Sequence, residues 1–187
     1  MNIIIFGPPG AGKGTQSKHI SSKFKLYPIS TGDMLREEIK KDSDIGKKII
    51  NDMNNGKFVN DEIVNTLMKN IMLDPQKKNN LIFDGYPRSL SQAKNLDLLL
   101  NNSDQKIDFI FFLNVNKDTI LKRIERRKSL EKRTDDDTST FIKRYDTYMK
   151  TTKPVLDFYS KNLNFHEING AQEIDQITSQ IEAFINV

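Results

Sequence analysis

The sequence predicts an α/β protein in which a five-stranded parallel sheet is covered by helices on both faces. Three observations carry that expectation. The apolar runs at 2–6, 81–83 and 109–113 are nearly continuous rather than alternating, as expected of strands buried on both faces. Stretches of helical spacing separate each run from the next, which is the order of βαβ units. The first run passes directly into a Gly/Pro-rich loop and then into a helical pattern.

Taken in order, residues 2–6 read as a buried strand and 13–24 as a helix. Residues 26–30 form a second short strand. Residues 32–40 are helical, with Met34, Leu35 and Ile39 near helical spacing, and further helical patterns cover 45–53 and 61–73. Asn60 is placed to cap the last of these, ahead of Asp61 and Glu62. Residues 81–83 form a strand that ends on Asp84-Gly85, and a helix at 91–100 follows. Residues 109–113 are the most apolar strand. Asp118 is expected to cap a long basic helix that buries Ile120, Leu121 and Ile124. Thr138 or Ser139 opens a helix bearing Phe141, Tyr145 and Tyr148, and Pro154 marks a restart through Tyr159. Residues 163–168 are the fifth strand. Ile174, Ile177, Ile181 and Phe184 form the buried stripe of a last helix. No repeat or long linker divides the chain.

Composition narrows the function. The chain has 187 residues, 36% of them hydrophobic and 29% charged, and no cysteine. Disulfides, thiolate metal sites and cysteine nucleophiles are excluded, and a soluble cytoplasmic protein is expected. No apolar run is long enough for a membrane helix. The net charge of +4 is concentrated: between positions 122 and 133 there are seven bases and two acids. A small polyanion held at one site accounts for that clustering. No aromatic residues alternate with the bases, so a nucleic-acid partner is not indicated.

The most informative stretch is Gly7-Pro8-Pro9-Gly10-Ala11-Gly12-Lys13-Gly14-Thr15. A G-x-x-x-x-G-K loop between a strand and a helix makes an anion nest from backbone N–H groups, aided by the helix N-terminus. Lys13 adds a movable point charge for the outer phosphates. Gly14 follows Lys13 and Thr15 comes one place later, a departure from the strict pattern, which has Ser or Thr directly after Lys. The loop specifies a nucleoside triphosphate site, not a reaction.

Further motifs follow the other strands: Ser30-Thr31-Gly32-Asp33-Met34-Leu35-Arg36 after the second, and Asp84-Gly85-Tyr86-Pro87-Arg88 after the third, with Gln92 beyond. Arg123 and Arg127 share a helix face. Arg133-Thr134-Asp135-Asp136 and Arg144 come later. A lone arginine is ordinarily a solvated surface charge, and Arg126, Lys128 and Lys132 are read as such. His19 and His166 are read as structural or exposed. The full set of motifs, in this order, resembles the adenylate kinases in their short-lid form, from residue 2 to the final helix. Lys132 departs from the pattern, which commonly has Gly before this arginine.

The resemblance implies the P-loop NTPase sheet order 2-3-1-4-5, with a core at 1–29, 60–125 and 137–187, an AMP-binding insertion at 30–59 and a short lid at 126–136. It implies that Gly10, Ala11, Gly12, Lys13, Gly14 and Thr15 hold the ATP phosphates. Arg123 would pack on the ATP base, Arg127 would meet the γ-phosphate and the Gln172 carbonyl would face the base. On the acceptor side, Arg36 and Arg88 would hold the AMP phosphate. Thr31, Gly85, Tyr86, Pro87 and Gln92, with the backbone of Lys57, Phe58 and Val59, would define the AMP pocket. Arg133 and Arg144 would bridge the transferring group and its acceptor. Asp33 and Asp84 would orient Mg²⁺ through its water shell. No structural zinc is implied, and the family expectation is a monomer whose partners are ATP, AMP and ADP.

The chemistry explains the arginines. Transfer between two nucleotides brings five phosphates together, and the protein's task is positioning, neutralisation and exclusion of water. Arg binds phosphate oxygens bidentately and stays charged. No general base is needed, since the attacking phosphate oxygen is already ionised. Two other readings compete. One is a UMP/CMP kinase on the same fold, where Thr31 favours AMP and Gln92 discriminates weakly, because an amide can pair with several bases. The other is a nucleotide-dependent binding protein, which would need only one phosphate site.

Overall fold

The computed structural model describes the backbone of residues 1–131 and 138–186, and the side chains of residues 1–126 and 139–186. Strands β1 (Asn2–Phe6), β2 (Tyr27–Ser30), β3 (Leu81–Asp84), β4 (Phe109–Asn114) and β5 (Phe165–Asn169) form one sheet in the order β2-β3-β1-β4-β5, every neighbouring pair parallel. This is the order the resemblance implies. The helices are α1 (Lys13–Phe24), α2 (Thr31–Lys40), α3 (Asp44–Asn54), α4 (Asp61–Met72), α5 (Leu90–Asn101), α6 (Lys117–Glu131), α7 (Thr138–Thr147), α8 (Lys153–Tyr159) and α9 (Ile174–Ile185).

Strand alternation sorts the core into two layers. Ile4, Phe6, Leu81, Phe83 and Ile110 face one side, where Val64, Met68, Ala93, Leu96, Val155 and Leu156 from α4, α5 and α8 cover them. Ile3, Ile5, Ile82, Phe111 and Leu113 face the other, against Ile20, Ile120, Ile124, Phe141, Ile177 and Ile181 from α1, α6, α7 and α9. Both faces of the three central strands are therefore dry, which is why their sequences lack alternation. Pro28 is tolerated because β2 is an edge strand.

Local chemistry fixes the helix starts. The side chains of Ser30, Ser43, Asn60 and Ser89 accept backbone N–H groups from the first turns of α2, α3, α4 and α5, at 3.3, 2.9, 2.7 and 3.1 Å. Each such cap contributes about 1 kcal/mol. The α2–α3 hairpin is held by close backbone approach: a Cβ at Gly46 would collide with the Glu38 carbonyl oxygen and lie 2.7 Å from the carbonyl carbon.

Several boundaries differ from expectation. The cap of α6 is Asn116, whose Oδ1 accepts the Thr119 N–H at 2.9 Å; Asp118 lies inside the first turn. Leu163 is outside β5 and 97% exposed, because the ladder with β4 begins only at Phe165. In α9 only Ile177 and Ile181 are buried; Ile174 is exposed, and Phe184 stacks on His166 with ring centroids 4.0 Å apart. Pro154 does not break the chain direction: a π-helical stretch, Tyr148–Thr152, joins α7 to α8 and widens the turn ahead of the proline ring. Asn2, though polar, is fully buried in β1; its side chain donates to Gln105 Oε1 and the Lys106 carbonyl and accepts the Leu81 N–H.

Candidate active site

In a doubly wound parallel sheet, ligands bind beyond the carboxyl ends of the strands, where successive connections leave in opposite directions. Here that place is the end of β1, flanked by β3 and β4. The loop after β1 turns through Gly10 and Gly12 in the left-handed region, at φ 82° and 97°, where a side chain would be strained. Gly12 caps α1 without a side chain, and the first turn of α1 contains no acid. The N–H groups and positive dipole end of that turn are thus left for an external anion. Lys13 Nζ donates to the carbonyls of Gly7 and Pro8 at 2.8 and 3.0 Å, lying back over its own loop. Thr15 is exposed on the same turn.

Arg123 ties the rim together. It reaches from α6 to donate to the Ala11 carbonyl at 3.3 Å and the Gln172 carbonyl at 3.4 Å. Two residues assigned to the nucleotide base from distant parts of the chain, Arg123 and Gln172, therefore meet beside the loop. Asp84, at the end of β3, lies on the other flank; a Cβ at Gly14 would be 3.3 Å from its Oδ2.

A second pocket lies beside α2 and α3. Its lining comes from Gly32, Leu35 and Arg36 of α2, Met53 of α3, the following segment Gly56, Lys57, Phe58 and Val59, and Arg88 and Arg144. Three arginines thus converge on one small cavity. The Arg88 guanidinium lies 5.1 Å from the Phe58 ring centroid, and its Nε donates to the Gly85 carbonyl at 2.6 Å. The Thr31 hydroxyl donates to the same carbonyl at 2.7 Å. Arg36 pairs with Asp33 at 2.5 Å, and Asp33 is 62% exposed. The pocket encloses about 40 Å³, far below the roughly 300 Å³ of an ordinary small-molecule site. The cavity is thus a narrow slot between the arginine side chains and the α2–α3 hairpin.

Tyr86 and Pro87 are buried beneath the pocket rather than in its wall. The Tyr86 hydroxyl donates toward Asn65 Oδ1 and the Gln92 carbonyl, and burial pushes its pKa up to about 12. Gln92 is 2% exposed; its Oε1 accepts the Arg88 backbone N–H at 2.8 Å and its Nε2 donates to Asp61 Oδ1 at 2.7 Å. Asp61 is a residue the sequence reading missed, because an acid one place after a helix cap needs no further explanation. Arg127 belongs to α6, but its side chain lies outside the described residues, as does Arg133 altogether. A larger open cleft of about 530 Å³ sits at the opposite end of the sheet, beside Met1, Asp104 and Asp108. It has one lysine, Lys106, and no arginine, so it is unsuited to phosphates.

A lysine-bearing loop at the end of β1 and a pocket lined by three arginines suit a phosphotransferase that handles two nucleotides, and the parallel 2-3-1-4-5 sheet is that of the P-loop nucleoside monophosphate kinases. Residues 5–164 match the family model described as adenylate kinase. The chain is 47% identical to an adenylate kinase of Pelagibacter ubique, with all of both chains covered. It is 36% identical to one from a Caulobacter species and 35% identical to one from Archaeoglobus fulgidus, with at least 98% of each chain covered. The chain belongs to the adenylate kinase family. The Caulobacter alignment spans 187 positions, whereas that with Pelagibacter spans 213, leaving 26 with no counterpart in this chain.

Proposed function

We infer that the protein catalyses the reversible, Mg²⁺-dependent reaction ATP + AMP = 2 ADP and so serves adenine-nucleotide balance and salvage. The observation that carries this reading is that the Lys13 loop after β1 and the pocket of Arg36, Arg88 and Arg144 both lie beyond the carboxyl ends of the strands of one sheet. The two sites need not communicate through a relay: one phosphate oxygen attacks the phosphorus held by the other site.

The residues divide the work. The backbone from Gly10 to Thr15 and Lys13 hold the ATP phosphates, with Arg123 and the Gln172 carbonyl against the base. Arg36 and Arg88 hold the AMP phosphate, and Arg144 reaches the same pocket, where it neutralises charge as the phosphoryl group passes. Thr31, Gln92 and the backbone of Lys57, Phe58 and Val59 position the AMP nucleoside; Gly85, Tyr86 and Pro87 hold the floor. Arg127 and Arg133 complete the set from the short lid, on the strength of their motif positions. Mg²⁺, when bound, neutralises charge on the outer phosphate oxygens. Among the described residues no three His, Asp or Glu side chains gather into a metal cage. A single carboxylate beside the phosphate loop, Asp84, fits an ion that keeps most of its waters and takes the rest of its ligands from phosphate. Asp33, paired with Arg36, would act only through water.

Residues 30–59 would close over AMP, and residues 126–136 over ATP, excluding water while the phosphoryl group moves. The tight arginine pocket supports such movement on the AMP side. The protein would act as a monomer in the cytoplasm on small-molecule nucleotides; no helix among the described residues is long and apolar enough to cross a membrane.

Incubation with ATP, Mg²⁺ and AMP, UMP or CMP in turn tests the reading. AMP is expected to give ADP at far the highest rate, and a molecule joining two adenosines through five phosphates is expected to block it. Preference for a pyrimidine monophosphate, or binding of that molecule away from Lys13 and Arg88, would overturn it.

A further inference from the structure

We propose that Asp61 is a specificity-determining positioning residue: it locks the Gln92 amide in one sense, so that the enzyme accepts a 6-amino purine monophosphate and rejects its 6-oxo counterpart. The inference rests on the assignment of Gln92 to the AMP base above and deepens it.

A glutamine amide carries a carbonyl with two lone pairs and an NH₂ with two donors, nearly identical in shape. Turned one way, its free edge meets a base that offers a ring acceptor and an exocyclic donor, as adenine does. Turned over, it meets a ring N–H and a carbonyl, as in hypoxanthine or guanine. An amide free to flip therefore selects neither. Gln92 is not free. The Arg88 backbone N–H can only donate, and it fixes Oε1 at 2.8 Å. Asp61 Oδ1 can only accept, and it fixes Nε2 at 2.7 Å. Flipping the amide would set a donor against a donor and an acceptor against a carboxylate, in a site where Gln92 is 2% exposed and water cannot relieve the mismatch. One lone pair and one N–H remain, in a fixed order.

Asp61 is itself held. Its other oxygen, Oδ2, accepts the Ser89 hydroxyl at 2.6 Å, and the same hydroxyl oxygen accepts the Gln92 N–H as the cap of α5. Asn60 caps α4 just ahead of it. The carboxylate thus joins the first turns of α4 and α5 and aims one oxygen at each partner. This also explains why sequence reading rates Gln92 a weak discriminator: the residue that supplies the discrimination is 31 positions away.

AMP and IMP differ only in the 6-position and the adjoining ring nitrogen, so they form the probe pair. The full-length enzyme and Asp61→Asn are compared in kcat/KM for each, with ATP and Mg²⁺ saturating. In Asp61→Asn the introduced amide can itself turn to suit either sense of Gln92, so the AMP-to-IMP ratio is expected to fall by roughly tenfold or more, mainly through the KM values. Asp61→Glu is expected to restore part of the ratio. Ser89→Ala removes the staple between α4 and α5 but leaves the Gln92 contact. It should lower Tm while changing the ratio by less than about twofold. An unchanged ratio in Asp61→Asn, or an equal collapse of the ratio in Ser89→Ala, would overturn the proposal. Failure of the wild type to phosphorylate AMP would instead overturn the functional assignment, so the two failures are distinguishable.

Discussion

Replacing Gly46 by Ala in α3 tests how the acceptor site is built. Ala is the better helix former by about 1 kcal/mol, so propensity alone predicts a gain in stability. The packing predicts the reverse. The new methyl would collide with the Glu38 carbonyl oxygen and lie 2.7 Å from the Glu38 carbonyl carbon and 2.8 Å from Ile39 Cα. All three are backbone atoms of the facing helix, so no side chain can swing away. Restoring ordinary carbon contacts near about 3.5 Å requires α3 to move from α2 by about 1 Å. Overpacking of this kind costs roughly 1–3 kcal/mol, which outweighs the propensity gain over most of that range. Because α2 carries Leu35 and Arg36 while α3 and its continuation carry Met53 and Gly56, the shift opens the acceptor pocket. The Gly46→Ala enzyme is expected to melt several degrees lower and to show a KM for AMP raised about tenfold, corresponding to about 1.4 kcal/mol, with the KM for ATP close to that of wild type. Lys48→Ala, on the exposed face of α3, should change neither. A Gly46→Ala enzyme that melted at or above the wild-type temperature with an unaltered KM for AMP would refute the packing argument.

Other perturbations read the remaining parts of the site. Arg123→Lys replaces a planar fork that bridges two carbonyls with a single ammonium; the KM for ATP should rise about tenfold and that for AMP stay put, as initial-rate kinetics against each substrate would reveal. Arg133→Ala should lower kcat by roughly 10²–10³ with smaller effects on nucleotide affinity, and an unaltered kcat would remove Arg133 from the chemistry. Burial against Phe184 and Phe111 lowers the pKa of His166 below its ordinary value. The unfolded chain therefore binds this proton first, and the stability owed to neutral His166 is lost as pH falls through about 6.5 toward the lower folded-state value. Thermal melts at neutral and mildly acidic pH should show a smaller acid loss in His166→Phe than in wild type; equal losses would assign the acid sensitivity elsewhere.

Much of the fold was legible because its signals are local. Continuous apolar runs marked the central strands, and Asn60 announced the start of α4 as it stands in the structure. The turn from Gly7 to Lys13, between β1 and α1, was legible because its shape is set by glycines adjacent in sequence. Errors fell where two local signals competed. Asp118 and Asn116 both suit a helix start, and only the hydrogen bond to Thr119 selects Asn116. Leu163 continues an apolar pattern, but ladder pairing with Ile110 starts at Phe165. At the end of α1 there is no glycine to read: Lys25 takes the left-handed position, at φ 55°.

The sequence by itself determined the class of chemistry, since a phosphate loop and a set of arginines in this order are properties of residue type and spacing. Only the tertiary structure decided how those groups meet. Arg123 and Gln172 are 49 positions apart and share the rim of one loop; Arg36, Arg88 and Arg144 come from three segments into one pocket. The sense of the Gln92 amide depends on Asp61, whose role has no signature along the chain. Hydrogen-bond donors and acceptors are fixed by covalent structure, but their partners are fixed by the packing of helices that the sheet brings together.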